Sequence, residues 1–217
     1  KYYFDSNNMT YPKEKNYLNA LLILCEANQK QNNTNKALEY GLEGIKIIEA
    51  KYSLDNMNWA YSYLRFTNSI ANVYITTQML KEAIYYYEKA LIAATKMDRI
   101  LPYPSHKQPL DCLSILVKLY ASLQEHNQVL EKGETYIELI EDIYPTSPTW
   151  FTNQYLFILP IIATSYALIN ETPTQSDYTK TKECIDNYFE KYNLDEMSIS
   201  DLQLFIFSLV SYYRLFE

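Results

Sequence analysis

The chain has 217 residues and a net charge of −7, with 48% hydrophobic and 21% charged residues, the balance of a soluble globular protein. Arginine occurs only at Arg65, Arg99 and Arg214, and there is no basic run or basic amphipathic face. This composition argues against nucleic-acid binding through phosphate neutralisation and against an anionic membrane surface as partner. Three glycines are too few for a fold rich in tight β-hairpins.

Apolar residues recur at helical spacing along almost the whole chain. In chain order, helices are predicted near 13–31, 34–53, 57–78, 80–98, 107–124, 127–144, 149–169, 178–193 and 198–216. The breaks between them contain "QNNTN", "SLDNMN", "LPYPSHKQP", "YPTSPT" and "LDEMSIS". Pro102, Pro104, Pro109, Pro145 and Pro148 bar a continuous helix where they stand. Thr34, Ser147 and Ser198 can each offer a side-chain oxygen to free N–H groups, so they are the expected N-caps. Pro148 would then take the first helical position, where a missing N–H costs nothing.

The segment from Ile143 to Asn170 carries no charge. Asn153, Gln154, Pro160, Thr164 and Ser165 interrupt it, so its apolar part falls short of the ~20 residues a membrane span requires. Cys25, Cys112 and Cys184 all fall on apolar helical faces, without a CxxC motif. They read as small buried hydrophobes rather than a disulfide framework. The 23 tyrosines fill half-buried helix contacts, with an apolar ring inside and a polar tip outside. The chain opens on Lys1-Tyr2 and closes at Glu217 inside an apolar helical run. Both ends are therefore expected to be cuts through a longer protein, and a cytoplasmic location is the expectation.

One period organises the pattern. A shift of 46 residues aligns Leu18, Leu64, Leu110 and Leu156, and likewise Leu24, Ile70, Leu116 and Ile162. Cys25, Ala71, Val117 and Ala163 form a smaller column, and Asn28, Tyr74, Tyr120 and Tyr166 another. Ala37, Ala83 and Val129 align, as do Leu38, Ile84 and Leu130. Tyr17, Tyr63 and Tyr155 align, with Pro109 as the exception. The fourth copy slips in its second half, because "KECIDNYFEKY" matches "KEAIYYYEKA" only after about nine inserted residues near "ETPTQSDYT". Several columns holding one period over four copies indicate a stacked repeat. Ala71, Ala83 and Ala90 then mark where two helices approach closely, with Tyr74 or Tyr87 filling the space alongside.

The order Ile70-Ala71, Tyr74, Ala83, Tyr87, Ala90, split over two helices, resembles the tetratricopeptide repeat. The other copies carry Leu24-Cys25 with Ala37 and Gly44; Leu116-Val117, Tyr120 and Val129; Ile162-Ala163, Tyr166 and Cys184. The unit here is 46 residues against about 34 in that family, and in this it is similar to the long-helix repeats of bacterial signalling proteins. The resemblance implies an all-α, right-handed α-α superhelix across residues 1–217. It would hold about four hairpins (13–53, 57–98, 107–144, 149–193) and a partial fifth at 198–216. A helical-pair solenoid of the armadillo or HEAT type is the structural alternative.

In this family the first helix of each pair lines a concave groove. The packing columns then nominate Asn19, Leu22 and Glu26; Arg65, Asn68 and Asn72; Asp111, Ser114 and Lys118; and Phe157, Ile161 and Thr164. Asn68 and Asn72 lie one helical turn apart, and each amide can both donate to and accept from an extended peptide backbone. Some family members clamp a terminal carboxylate with basic residues. Asp111 and Ile115 stand where such residues would be needed, and Arg65 with Lys118 does not complete the set. Phe157, Pro160, Ile161 and Leu168 make the fourth face apolar, suited to a hydrophobic side chain or to packing on the ninth helix.

Nothing points to an enzyme. His106 and His126 have no partner at metal-ligand spacing, and GxSxG, HExxH and phosphate-cradling glycine loops do not occur. No cofactor or metal is expected. The expected function is a protein- or peptide-binding module in the sensing region of a signalling or regulatory protein. A passive assembly scaffold, a self-association module and a surface lipoprotein repeat that binds nutrients are the alternatives.

Overall fold

The computed structural model describes residues 11–102 and 106–143, together with residues 158, 161, 162, 164, 165, 168, 169 and 179. Among them are six α-helices and no strand. These are α1 (Tyr11–Lys30), α2 (Thr34–Lys51), α3 (Met57–Thr76), α4 (Leu80–Ile100), α5 (Lys107–Ser122) and α6 (His126–Ile143). Each coincides, to within a turn, with one of the first six predicted helices. Of the remaining three, 149–169 is described only at residues 158, 161, 162, 164, 165, 168 and 169, all helical but Ile169, and 178–193 only at Thr179, also helical; 198–216, the caps at Ser147 and Ser198, and Cys184 lie outside the described residues. The chain divides into two compact units, Lys1–Pro104 and Ser105–Glu217. The first contains α1 to α4 and the second contains α5 and α6.

The helices pair through one elbow, made three times. At the end of α1 the N–H of Asn33 donates to the Asn28 carbonyl at 2.8 Å, and that of Asn32 to Gln29 at 3.0 Å. At the end of α3, Met79 donates to Tyr74 at 2.9 Å and Gln78 to Ile75 at 3.0 Å. At the end of α5, Glu125 donates to Tyr120 and Gln124 to Ala121, both at 3.0 Å. Asn32, Gln78 and Gln124 take the left-handed conformation, with φ of 56°, 60° and 59°. This is the Schellman pattern, which pairs the last carbonyls of a helix and reverses the chain. Its residues repeat at the 46-residue spacing read from the apolar columns.

Thr34 does not cap α2. It is the first helical residue, Asn33 holds the cap position, and no side chain bonds there. The elbow explains why: its backbone already runs straight into the next helix, where the Ala37 N–H reaches the Asn33 carbonyl at 3.0 Å. A side-chain cap forms instead after the longer connector, where Asn56 accepts from the Asn58 N–H at 3.0 Å.

Within the first unit α1 packs on α2, α3 on α4, α2 on α3, and the two first helices α1 and α3 touch directly. The small columns lie at these contacts. Cys25, Ala37, Ala71, Ala83 and Ala90 are wholly buried, as are Val117 and Val129 in the second unit. Glycine permits the closest approach of α2 to α3: a Cβ on Gly44 would sit 2.3 Å from Phe66 Cζ, and one on Gly41 2.7 Å from Ile70 Cγ1. Tyr87 is buried as expected of a filler, whereas Tyr74 is half-buried and stacks on the half-buried Tyr86, with centroids 5.6 Å apart. Leu24 departs from its column and is 41% exposed, whereas Ile70, Leu116 and Ile162 are buried. Cys25 and Cys112 are buried free thiols, and burial pushes their pKa up to about 11 and about 12.

Polar groups fasten the helices where they enter and leave the core. Glu14, at the start of α1, is only 5% exposed. Lys51 donates to it at 2.6 Å and the Tyr52 hydroxyl donates to its other oxygen. These bonds hold its carboxyl below its ordinary pKa against the opposing effect of burial. The Tyr52 ring stacks on Trp59 at 3.9 Å, which ties the end of α2 to the start of α3. Glu49 of α2 accepts from Tyr63 of α3 at 2.5 Å and from Lys89 of α4 at 2.8 Å.

Candidate binding face on the first helices

Of the six nominated residues of the first unit, Glu26 of α1 and Arg65 of α3 are brought together, and Asn68 and Asn72 follow Arg65 turn by turn along α3. Glu26 and Arg65 are both half-buried and form a forked ion pair. Arg65 Nη2 reaches the two carboxylate oxygens at 2.6 and 2.8 Å, and Nε reaches Oε1 at 3.1 Å. Two parallel charge-assisted bonds fix both partners in direction as well as distance. The guanidinium also lies over the exposed Tyr61 ring, 5.8 Å from its centroid. Its positive charge is thus met by a carboxylate and by the negative face of an aromatic ring.

One turn along α3 stands Asn68. Its side-chain oxygen is buried and has no hydrogen-bond partner, the only such side-chain atom among the described residues. A further turn along, Asn72 is half-buried, and its oxygen accepts from the Tyr87 hydroxyl at 2.7 Å. That bond orients the amide and takes one of the two acceptor sites on its oxygen. Thr67 and Ser69, either side of Asn68, are buried. The Thr67 hydroxyl bonds back to the Tyr63 and Leu64 carbonyls at 2.8 and 3.0 Å. Asn19 is exposed on α1, whereas Leu22 is 3% exposed and lies beneath this face in the core.

In the second unit Asp111 is exposed on α5, and Ser114 and Lys118 are half-buried. The Ser114 hydroxyl donates to the Asp111 carbonyl at 3.0 Å, so it is turned along its own helix. Desolvation raises the Asp111 pKa against the pull of Lys107, and it lowers that of Lys118. Ile161 and Thr164 are half-buried, and Leu168 is 49% exposed. Phe157 and Pro160 lie outside the described residues.

The sequence reading missed two features. The partnership of Glu26 with Arg65 is one, although both residues were nominated singly. The other is a cavity of about 370 Å³ at the α5–α6 elbow, lined by Gln124, Glu125, His126, Asn127, Gln128 and Ile169. His126 Nδ1 lies 3.2 Å from the hydroxyl of the buried Ser165. Among the described residues no group of three or more His, Cys, Asp or Glu is placed to hold a metal ion. No described helix is long and apolar enough to cross a membrane. No family model matches this chain, and no curated protein matches it.

Proposed function

We propose that this chain is a tetratricopeptide-like repeat module that binds an extended peptide or partner segment along its first helices. We place it in the sensing or interaction region of a larger regulatory protein. The observation that carries this reading is Asn68, whose buried side-chain oxygen lacks a partner. A buried acceptor left unpaired costs about 1–3 kcal/mol. That cost is recovered if a ligand brings an N–H to it. The NH2 group of Asn72, one turn away and oriented by Tyr87, supplies the complementary donor. A peptide backbone offers both groups at every residue. Helical pairs stacked into a right-handed superhelix would carry this face along the concave side. Buried free thiols at Cys25 and Cys112 suit a reducing, cytoplasmic setting.

The test is a peptide-library screen of the chain beside the Asn68→Ala/Asn72→Ala double variant. The reading expects binders that the double variant loses at unchanged thermal stability. Binders retained by the variant would move the site elsewhere. A screen without binders would favour a passive scaffold, with oligomeric state as the next measurement.

A further inference from the structure

The ion pair beside Asn68 bears on which ligands that face accepts. We infer that Glu26 is a specificity-determining residue: it is a resident carboxylate that occupies the Arg65 guanidinium and denies it to acidic side chains and terminal carboxylates. The inference rests on the proposed peptide-binding reading and deepens it by naming the ligand's chemistry. The preferred segment is uncharged where it crosses α1 and α3, and it is recognised through its backbone rather than its end.

Four observations carry this. Arg65 is the sole arginine on α1 or α3, so no second guanidinium could take a carboxylate beside it. Glu26 engages it through both oxygens, with Nη2 on Oε2 at 2.8 Å and Nε on Oε1 at 3.1 Å, the fork geometry a ligand carboxylate would need. The side chains remain 39% and 31% exposed, so the guanidinium is reachable from solvent and is withheld by Glu26 rather than by burial. Among the described residues the buried side-chain atom still wanting a partner is the neutral oxygen of Asn68, one turn along α3 from Arg65, and it calls for an N–H.

The experiment uses the full chain and succinate as a simple carboxylate probe, read through the Arg65 Nε–H signal by NMR. The expected result is a smaller shift of the signal in the native chain at every succinate concentration. In Glu26→Gln the signal should move saturably, with an affinity up to about fivefold higher, the scale of one half-exposed ion pair. Glu26→Asp keeps the charge but shortens the reach, so it should fall between the two, and it stands in if Glu26→Gln does not fold. The inference is overturned if the native signal moves as far as the variant's, or if neither signal moves. This readout needs no peptide. A failed library screen beside a positive succinate result would therefore strike the peptide reading alone. With peptides in hand, free-acid and amidated forms should bind the native chain equally, and Glu26→Gln should prefer the free acid.

Discussion

The Met79 N–H reaches back to the Tyr74 carbonyl at 2.9 Å, and this bond recurs between Asn33 and Asn28 and between Glu125 and Tyr120. The repeat is therefore an identity of backbone geometry as well as of apolar columns. The elbow demands a left-handed residue, and Gln78 and Gln124 supply it at φ 60° and 59° with a side chain that disfavours that region. A residue with a Cβ there costs roughly 1–2 kcal/mol relative to glycine. Gln78→Gly and Gln124→Gly should each stabilise the chain, by about 0.5–1 kcal/mol after the added freedom of the unfolded state is counted. Urea unfolding midpoints at constant slope would register the gain. A loss of stability would mean that the side chains hold the elbows.

The approach of α2 to α3 gives a prediction of opposite sign. A methyl on Gly44 would meet three Phe66 ring carbons at 2.3 to 2.7 Å. Both helices are packed from other sides, so neither can retreat freely. Gly44→Ala should destabilise by about 1–3 kcal/mol, as overpacking does, despite alanine's higher helix propensity. Adding Phe66→Leu should recover part of the loss, and thermal melts of the three variants would measure it.

Glu14 links stability to pH. Its bonds from Lys51 and then Tyr52 lower its pKa from the ordinary 4.5. A carboxylate held low in the fold stabilises above its unfolded pKa, and that contribution is lost as pH falls through the folded value. Glu14→Gln should cost about 1.5–3 kcal/mol near neutrality, the scale of a bond to a charged group. Below about pH 4.5 the gap between native and variant chains should narrow, because the unfolded chain's carboxyl then takes up a proton while the native one, with its lowered pKa, does not, and the contribution is gone once pH passes below the folded value. Denaturation at pH 7 and pH 3 would show it, and a gap independent of pH would contradict the role given to the Lys51 contact.

Most of the helical plan was legible in the sequence, and the reason is specific. Leu18, Leu64 and Leu110 each bury the same face, so burial prints the 46-residue period on the chain. The elbows were legible as breaks but not as Schellman turns, because glutamine carries no left-handed signal. Thr34 was misread for a related reason: a polar residue before an apolar run resembles a cap even where the backbone already closes the turn. The site was legible only face by face. Glu26 and Arg65 are 39 residues apart, Glu49 and Lys89 are 40, and Asp55 and Lys96 are 41. Neighbouring copies thus meet with an offset shorter than the period, set by how the helices slide during packing, and alignment of columns does not contain it. The orphaned oxygen of Asn68 was invisible for the same reason, since whether an amide finds a partner depends on the neighbouring helices.

The most direct test of a ligand-binding role for the first-helix face is the single variant Asn68→Ala, with stability and peptide affinity measured on the same preparation. If the buried oxygen is kept for a ligand, its removal relieves an unpaired acceptor. The melting temperature should then hold or rise, while affinity for peptides selected on the native chain falls at least about tenfold, the loss of one well-placed buried bond. A lower melting temperature with affinity intact would contradict the account, because it would make Asn68 part of the fold and not of the binding face.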